Sequence, residues 1–350
     1  MTNPLANDLD HVLSHTEGLW EELRGQRIFI TGGTGFFGCW LLESFAWANA
    51  KLSLDAQAVV LSRNPAAFAK KAPHLTTDKA ITFHTGDVCD FKFPAGTFSH
   101  VIHAATEASV KLNEESPLVM FDTIVTGTQR TLEFAATRGA KKFLLTSSGA
   151  VYGKQPSEMT HIPEDYTGAP NPLDPGAAYG EGKRAAELLC ALYHRQHGIE
   201  TKIARCFAFV GPYLPLDSHF AIGNFIRDAL AGGHIQVKGD GTPYRSYLYA
   251  ADLSVWLWTI LFRGQPCRAY NVGSDEAMDI ASLARCVGQT LNGNIQPIIG
   301  AKPIKEHGIQ RYVPSVERCR LELALNVWIS VAQAIQKTAE HCKAGGPYVF

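Results

Sequence analysis

The sequence predicts an α/β fold, a doubly wound parallel sheet joined to a smaller α/β carboxy-terminal lobe. Three observations carry the prediction. A glycine-rich turn, Thr31-Gly32-Gly33-Thr34-Gly35-Phe36-Phe37-Gly38, follows the apolar run Arg27 to Ile30 and opens a helical pattern through Leu41, Leu42, Phe45 and Ala46. Strand-sized apolar runs then recur with helical stretches between them, the alternation that a parallel sheet requires. At 350 residues the chain has room for a second lobe.

Residues 8–23 place Leu9, Val12, Leu13, Leu19, Trp20 and Leu23 at helical spacing, which predicts an amphipathic helix covering the domain before the first strand. In the turn itself, Gly32, Gly35 and Gly38 are spaced so that one makes the tight turn, one lets backbone approach a pyrophosphate, and one packs helix on strand. Amides at the helix start face the anion. Gly32, Thr34, Gly35, Phe36, Phe37 and Gly38 are therefore candidate dinucleotide contacts.

Ala58 to Leu61 reads as the second strand, and the residue beyond it ordinarily selects the cofactor. A carboxylate there binds both ribose hydroxyls of NAD; Ser62, Arg63 and Asn64 stand here instead and favour a 2'-phosphate, hence NADP(H). Stacking on adenine is the alternative for Arg63. Ala80 to His84 is the third strand, and Asp87, beside Val88 at its end, either accepts the adenine amino group or turns the chain. Ser99 to Ala105 is the fourth. Its small residues leave space for cofactor along His103, Ala104 and Ala105, with a satisfied place in the core as the alternative for the His103 ring.

Ser116 and Pro117 cap a helix of about twenty residues. Lys142 to Thr146 is the fifth strand, ending in Ser147-Ser148-Gly149-Ala150-Val151-Tyr152-Gly153. Ligands of such sheets bind beyond the carboxyl ends of the strands, which puts Ser148 at the site. Residues 154–178 form a long proline-rich loop of the kind that serves as a lid. Tyr179 and Lys183 open a helix running to about His197 and project from one face of it. Further helices are expected over Phe220 to Leu230, capped by Asn224 or by Asp217 upstream, and over Ala250 to Phe262, Ile280 to Leu291 and Val327 to His341, with a frayed tail after Cys342.

Composition narrows the function classes. A formal charge of -1 with no basic stripe speaks against nucleic acid as a partner. No apolar run reaches membrane-spanning length and the first residues lack a leader pattern, so a cytoplasmic protein is expected. The 8 cysteines are scattered, without CxxC or paired histidines, and predict neither a metal site nor a disulfide framework.

Ser148, Tyr179 and Lys183 together make a dehydrogenation site. A phenol of pKa about 10 is a poor base at neutral pH. A neighbouring ammonium favours the phenolate, and Lys183 supplies one while holding a ribose hydroxyl. Ser148 hydrogen-bonds the substrate hydroxyl that Tyr179 deprotonates, so that the carbon-bound hydrogen departs as hydride to nicotinamide.

The chain resembles the extended short-chain dehydrogenase/reductase family, the NAD(P)-dependent nucleotide-sugar epimerases and dehydratases. The resemblance rests on TGGTGFFG at 31–38, HAA at 103–105, SSGAVYG at 147–153, YGEGK at 179–183, RCFAFVGP at 205–212, GDGTPYRSYLYAADL at 239–253 and NVG at 271–273. It implies an N-terminal helical extension over 1–24, a Rossmann NAD(P)-binding lobe over 25–208 with a returning segment 245–275, and a nucleotide-sugar-binding lobe over 209–244 and 276–350. It further implies a nucleoside-diphosphate sugar as substrate, Arg245 on its diphosphate, and Gly149 and Asn224 as other contacts. Arg311 is a second diphosphate candidate, with a surface role as the alternative. A homodimer through a four-helix bundle of the helices near 117–137 and 179–197 is also implied.

Departures from the family pattern bear on the reaction. Dehydrating relatives carry Asp-Glu after the catalytic Ser or Thr, and decarboxylating ones keep a glutamate where Ala150 stands. Gly149 and Ala150 can do neither, unless Glu107 or Glu164 reaches in from a loop. Ile124 and Ala208 replace asparagines of the family motifs. The residues therefore support a nucleotide-sugar epimerase acting by transient oxidation at carbon 4. An NADPH-dependent ketosugar reductase uses the same three residues and is the alternative; a dehydratase or decarboxylase needs an added carboxylate. A non-catalytic dinucleotide sensor is the reading from another class, against which the intact Ser148, Tyr179 and Lys183 speak.

Overall fold

The computed structural model describes residues 3–106, 110–218, 220–293, 295–301 and 309–345. The chain divides into two compact units, one of Met1–Gly153, Thr167–Cys206 and Ser254–Tyr270, the other of Lys154–Tyr166, Phe207–Leu253 and Asn271–Phe350.

The first unit is built on strands β1 (Arg27–Thr31), β2 (Gln57–Ser62), β3 (Ile81–Thr85), β4 (His100–His103), β5 (Lys142–Ser148) and β6 (Glu200–Cys206). With the strand Arg268–Val272 they form a seven-stranded sheet in the order Arg268–Val272, β6, β5, β4, β1, β2, β3. The pairs from β6 across to β3 are parallel. The helix α1 (Ala6–His15) precedes β1, and helices separate the strands, among them α2 (Phe36–Leu52) and α3 (Pro65–Lys71), followed by Pro117–Thr137 and Ala178–His197. A sheet covered on both faces needs strands apolar throughout, and Ile28, Phe29 and Ile30 of β1 are all fully buried. Phe29 anchors one core, with Phe134 and Phe91 at ring distances of 4.2 and 5.5 Å. On another side Trp258 lies 4.6 Å from Trp20; Trp258 donates its indole N–H to Ser44 Oγ and Trp20 donates its own to Thr16 Oγ1, both at 2.8 Å, so neither ring is buried with its polar edge unpaired.

Several expectations are corrected. The helix expected over 8–23 ends at His15, because Gly18 takes φ +73°, and the chain resumes as a short 3-10 turn at Trp20–Leu23. This segment packs on the first unit, with Leu9 and Val12 buried. Ser116 makes no side-chain cap; Pro117 alone presets the first turn of its helix. Two strands of the sheet were not expected, β6 and Arg268–Val272. β6 carries Lys202 in its interior, an unusual strand residue, fully buried with its ammonium 2.5 Å from Glu200.

The second unit holds the helices Ala221–Leu230, Ile280–Asn292, Glu317–Leu323 and Val331–Lys343 and three small sheets. The loop segment 154–166 belongs here, not with its sequence neighbours: Gln155 Oε1 accepts from the Val313 amide at 3.0 Å and Ile162 bridges to Pro314. Residues 245–253 also fall in this unit, and 254–270 in the first. The last helix starts four residues later than expected, where Ser330 and Gln333 form a reciprocal cap. Among the described residues no helix is long and apolar enough to cross a membrane, and no group of three or more His, Cys, Asp or Glu is placed to hold a metal ion.

Candidate active site

A cavity of about 550 Å³ opens at the carboxyl ends of β1, β2, β3 and β4. Gly32, Thr34 and Gly35 line one part of it, Ser62, Arg63, Asp87 and Val88 another, and Ala104, Ala105 and Thr106 a third. The glycines shape it differently. A Cβ on Gly32, at φ +70°, would stand 2.3 Å from the Ala104 carbonyl oxygen, and one on Gly38 would stand 2.3 Å from the Gly32 carbonyl oxygen. Both positions need glycine for packing. A Cβ on Gly35 would meet only the Gly32 carbonyl oxygen at 3.4 Å, its other side being the cavity. Gly35 also precedes α2 with no side-chain cap, so the first-turn amides of a 17-residue helix are presented beside that opening. These residues fit an elongated ligand with an anionic centre, as a dinucleotide has.

Not every expected contact reaches the cavity. Phe36, Phe37 and Gly38 do not line it; Gly38 seats α2 on the turn. His103 is a correction: its ring is buried, with Nδ1 2.7 Å from Thr31 Oγ1 and Nε2 3.1 Å from Thr128 Oγ1. Burial, and secondarily the charge of Lys183, draws it down to about 3, so it stays neutral. It braces β1 against β4 and the helix Pro117–Thr137.

Ser148 ends β5 and is buried; its Oγ accepts from the Ala150 amide at 3.1 Å. Tyr179, half-buried in the first turn of the helix Ala178–His197, shares a hydrogen bond with Ser148. Lys183, one turn on, is 2% exposed, and its ammonium donates to Thr106 Oγ1 and to the Thr146 carbonyl oxygen, both at 2.8 Å. The three side chains expected to act together are thus brought together within the first unit. Burial pushes the Tyr179 phenol up to about 12, with the Ser148 hydrogen bond opposing. Burial likewise draws Lys183 down to about 8, opposed by Cys206, Glu187 and Cys190. Tyr179 is therefore protonated at neutral pH until further positive charge arrives beside it.

Residues that sequence reasoning missed stand at this site. Thr106, directly after the HAA segment, both lines the cavity and holds Lys183. Lys71, on α3, donates to the Thr34 carbonyl oxygen at 3.2 Å. Nothing in their spacing marked them.

In the second unit Arg245 and Arg311 come together. Arg311 and Tyr312 pair with Tyr244 and Arg245 on adjacent short strands, and the Arg311 guanidinium lies 4.5 Å over the Tyr244 ring. Arg311 Nε is buried with no hydrogen-bond partner among the described residues, which leaves a donor for an anionic ligand. Asn224 is a correction. It lies inside the helix Ala221–Leu230, donates to the Ser218 carbonyl oxygen at 2.9 Å and accepts from Arg227 Nη1 at 2.9 Å, so its amide is spent on folding its own loop. Glu164 is buried and accepts from the Asn271 amide at 2.9 Å; Glu107 lies outside the described residues. Gly149 and Ala150 form a 3-10 turn.

Comparison with known proteins gives the following. The model of the NAD dependent epimerase/dehydratase family matches residues 28–273. UDP-glucuronic acid decarboxylase 1 of Xenopus tropicalis is 29% identical over 319 residues, 90% of this chain and 72% of that protein. UDP-glucuronic acid decarboxylase 5 of Arabidopsis thaliana is 36% identical over 197 residues, 56% of each. Among solved structures, UDP-glucuronic acid 4-epimerase of Bacillus cereus in complex with UDP-4-deoxy-4-fluoro-glucuronic acid and NAD matches with a TM-score of 0.77 at 21% identity, covering 91% of this chain and 99% of that one. The last likeness is one of fold.

Proposed function

The chain belongs to the NAD-dependent epimerase/dehydratase family, and on that premise we propose that it is a nucleotide-sugar epimerase, oxidising one sugar hydroxyl, at carbon 4, and reducing the ketone from the opposite face. The observation that carries this reading is the Ser148–Tyr179–Lys183 cluster at the strand ends, followed by Gly149 and Ala150, which offer neither acid nor base. Oxidation and its reversal need one group that takes and returns a single proton.

Tyr179 is that group. Ser148 holds the sugar hydroxyl beside the phenol, and the Lys183 ammonium, fixed by Thr106 and the Thr146 carbonyl, favours the phenolate. When bound, the dinucleotide supplies the two-electron acceptor and donor and a positive ring. Gly32, Thr34, Gly35, Ala104 and Ala105 would hold it, with Asp87 and Val88 at its adenine end. Arg63 on the cavity wall and Lys71 at the Thr34 carbonyl, with no carboxylate at the tip of β2, support NADP(H) over NAD(H). Arg245 and Arg311 would take the diphosphate.

A second reading, decarboxylation, is favoured by the UDP-glucuronic acid decarboxylases that the chain resembles over most of its length. A ketone at carbon 4 lies β to the carboxylate of a uronic acid, so carbon dioxide can leave. Ala150, and Glu164 held by Asn271, speak against it, since the carbon left behind must be reprotonated. The proposed assembly is a homodimer: the helices Pro117–Thr137 and Ala178–His197 leave Leu118, Val119, Leu188 and Leu192 exposed.

The test is incubation with UDP-glucuronic acid and with UDP-, dTDP-, GDP- and CDP-hexoses, analysed by chromatography and mass. An isomer of unchanged mass is expected. Loss of carbon dioxide selects the decarboxylase, and net oxidation of NADPH on a ketosugar selects the reductase. Turnover that persists unchanged in Tyr179→Phe overturns the catalytic assignment.

A further inference from the structure

Behind Ser148, Tyr179 and Lys183 lies a second polar cluster that the proposed chemistry does not use. Glu187 stands one turn beyond Lys183 on the same helix, its side chain 12% exposed. Ser147, the neighbour of Ser148 on β5, donates to its Oε1 at 2.6 Å. Arg205, on β6, donates from Nε to Oε1 at 3.0 Å and from Nη2 to Oε2 at 2.7 Å. Nη1 of the same guanidinium donates to the Tyr152 hydroxyl at 2.9 Å, in the turn that follows Ser148. One carboxylate therefore fastens the strand bearing Ser148, the helix bearing Tyr179 and Lys183, and the strand between them and the sheet edge.

We infer that Glu187 is a positioning residue for the reaction: it sets Ser148 against Tyr179 and keeps a fixed negative charge behind the Lys183 ammonium. A two-point Arg–carboxylate pair fixes orientation as well as distance, which a single bond to Ser147 would not. The groups facing Lys183 are Thr106, the Thr146 carbonyl, Tyr179, the neutral His103 ring, the Cys206 and Cys190 thiols, and Glu187. Only Glu187 among them is a carboxylate, and its charge opposes the burial that draws Lys183 down. Without it the amine spends more of neutral pH uncharged, and an uncharged amine gives the Tyr179 phenolate no support.

The inference rests on the proposed function only in taking Ser148, Tyr179 and Lys183 as the reacting groups, and its test needs no substrate. Protein labelled with tyrosine carrying carbon-13 at Cζ, saturated with whichever of NAD+ or NADP+ it retains or otherwise free, is titrated by NMR. Loss of one resonance in Tyr179→Phe assigns Tyr179. In Glu187→Gln the Tyr179 resonance is expected to move at neutral pH, where Lys183 loses part of its charge, and Glu187→Asp, which keeps the charge, is expected to recover most of the shift. A folded Glu187→Gln with Tyr179 unmoved overturns the inference, as does an equal shift in the Asp variant. If Glu187→Gln does not fold, Ser147→Ala carries the comparison, and an unmoved Tyr179 there overturns it. Wild-type protein inert on every nucleotide sugar would sink the epimerase reading and leave this comparison intact.

Discussion

Gly35→Ala separates the ligand-facing glycine of the turn from the structural ones. Gly35 sits at φ -80° and ψ -174°, extended backbone open to alanine, and the new methyl would meet protein only at 3.4 Å. Stability should therefore change by no more than about 0.5 kcal/mol. The methyl would, however, stand in the cavity where backbone amides approach an anion, and pushing one charge-assisted hydrogen bond out of reach costs about 1.5–3 kcal/mol. That is about a ten- to hundredfold rise in Kd. NADPH fluorescence titration gives Kd directly. Melting gives a second reading, because ligand at about 100 times Kd stabilises by about 2.7 kcal/mol, falling to about 1.4 kcal/mol or less in the variant at the same concentration. Gly38→Ala is the control: its Cβ would lie 2.3 Å from backbone, so it should lose stability without any ligand. Wild-type affinity in Gly35→Ala, or a melting point lowered as far as that of Gly38→Ala, would refute the assignment of this cavity to a dinucleotide.

Other outcomes follow from the same geometry. Burial holds His100 at about 4 and His103 at about 3. The unfolded chain protonates both rings near pH 6.5, so stability should fall as pH drops from about 6.5 toward 4, by about 2.7 kcal/mol per unit once both unfolded rings are charged. His74, raised by Glu43, works oppositely, its contribution present below the unfolded pKa and lost as pH rises through the folded one. Urea midpoints that stay flat from pH 7 to 5 would contradict this. Arg63→Asp should weaken NADP+ by at least about tenfold while sparing or improving NAD+, read by calorimetry; equal losses for both would make Arg63 an adenine contact instead. Arg311→Met should raise KM for the nucleotide sugar about tenfold with dinucleotide affinity unchanged. Leu188→Glu, at a side chain 60% exposed, should yield monomer in sedimentation; an unaltered dimer would place the interface elsewhere.

Five of the strands were legible because each is an apolar run between helical stretches. β6 was not, since Lys202 and Arg205 break that pattern; Lys202 pairs with Glu200 two residues away, but Arg205 is accommodated by Glu187, 18 positions away on a helix, a partner that no local window reveals. Ser148, Tyr179 and Lys183 were legible as motif residues, whereas Thr106 meets Lys183 across 77 positions and Glu187 meets Ser147 across 40. His103 and Asn224 show the converse failure. Each is a polar residue in a suggestive segment, and each turns out to be satisfied by near neighbours in its own unit. Residue type proposes a ligand contact; only the positions of competing partners decide it.

The order of strands in the sheet has a bearing on synthesis. Six of its seven strands have emerged by Cys206, but the one that flanks β6, Arg268–Val272, follows more than sixty residues later. Until then the nascent sheet carries β6 as a bare edge, with unpaired amides and carbonyls able to recruit a neighbouring chain. Ribosomes that stall or terminate between these points would release a polypeptide that already holds Ser148, Tyr179 and Lys183 yet is prone to aggregate, so that edge is where a nascent-chain chaperone would be needed.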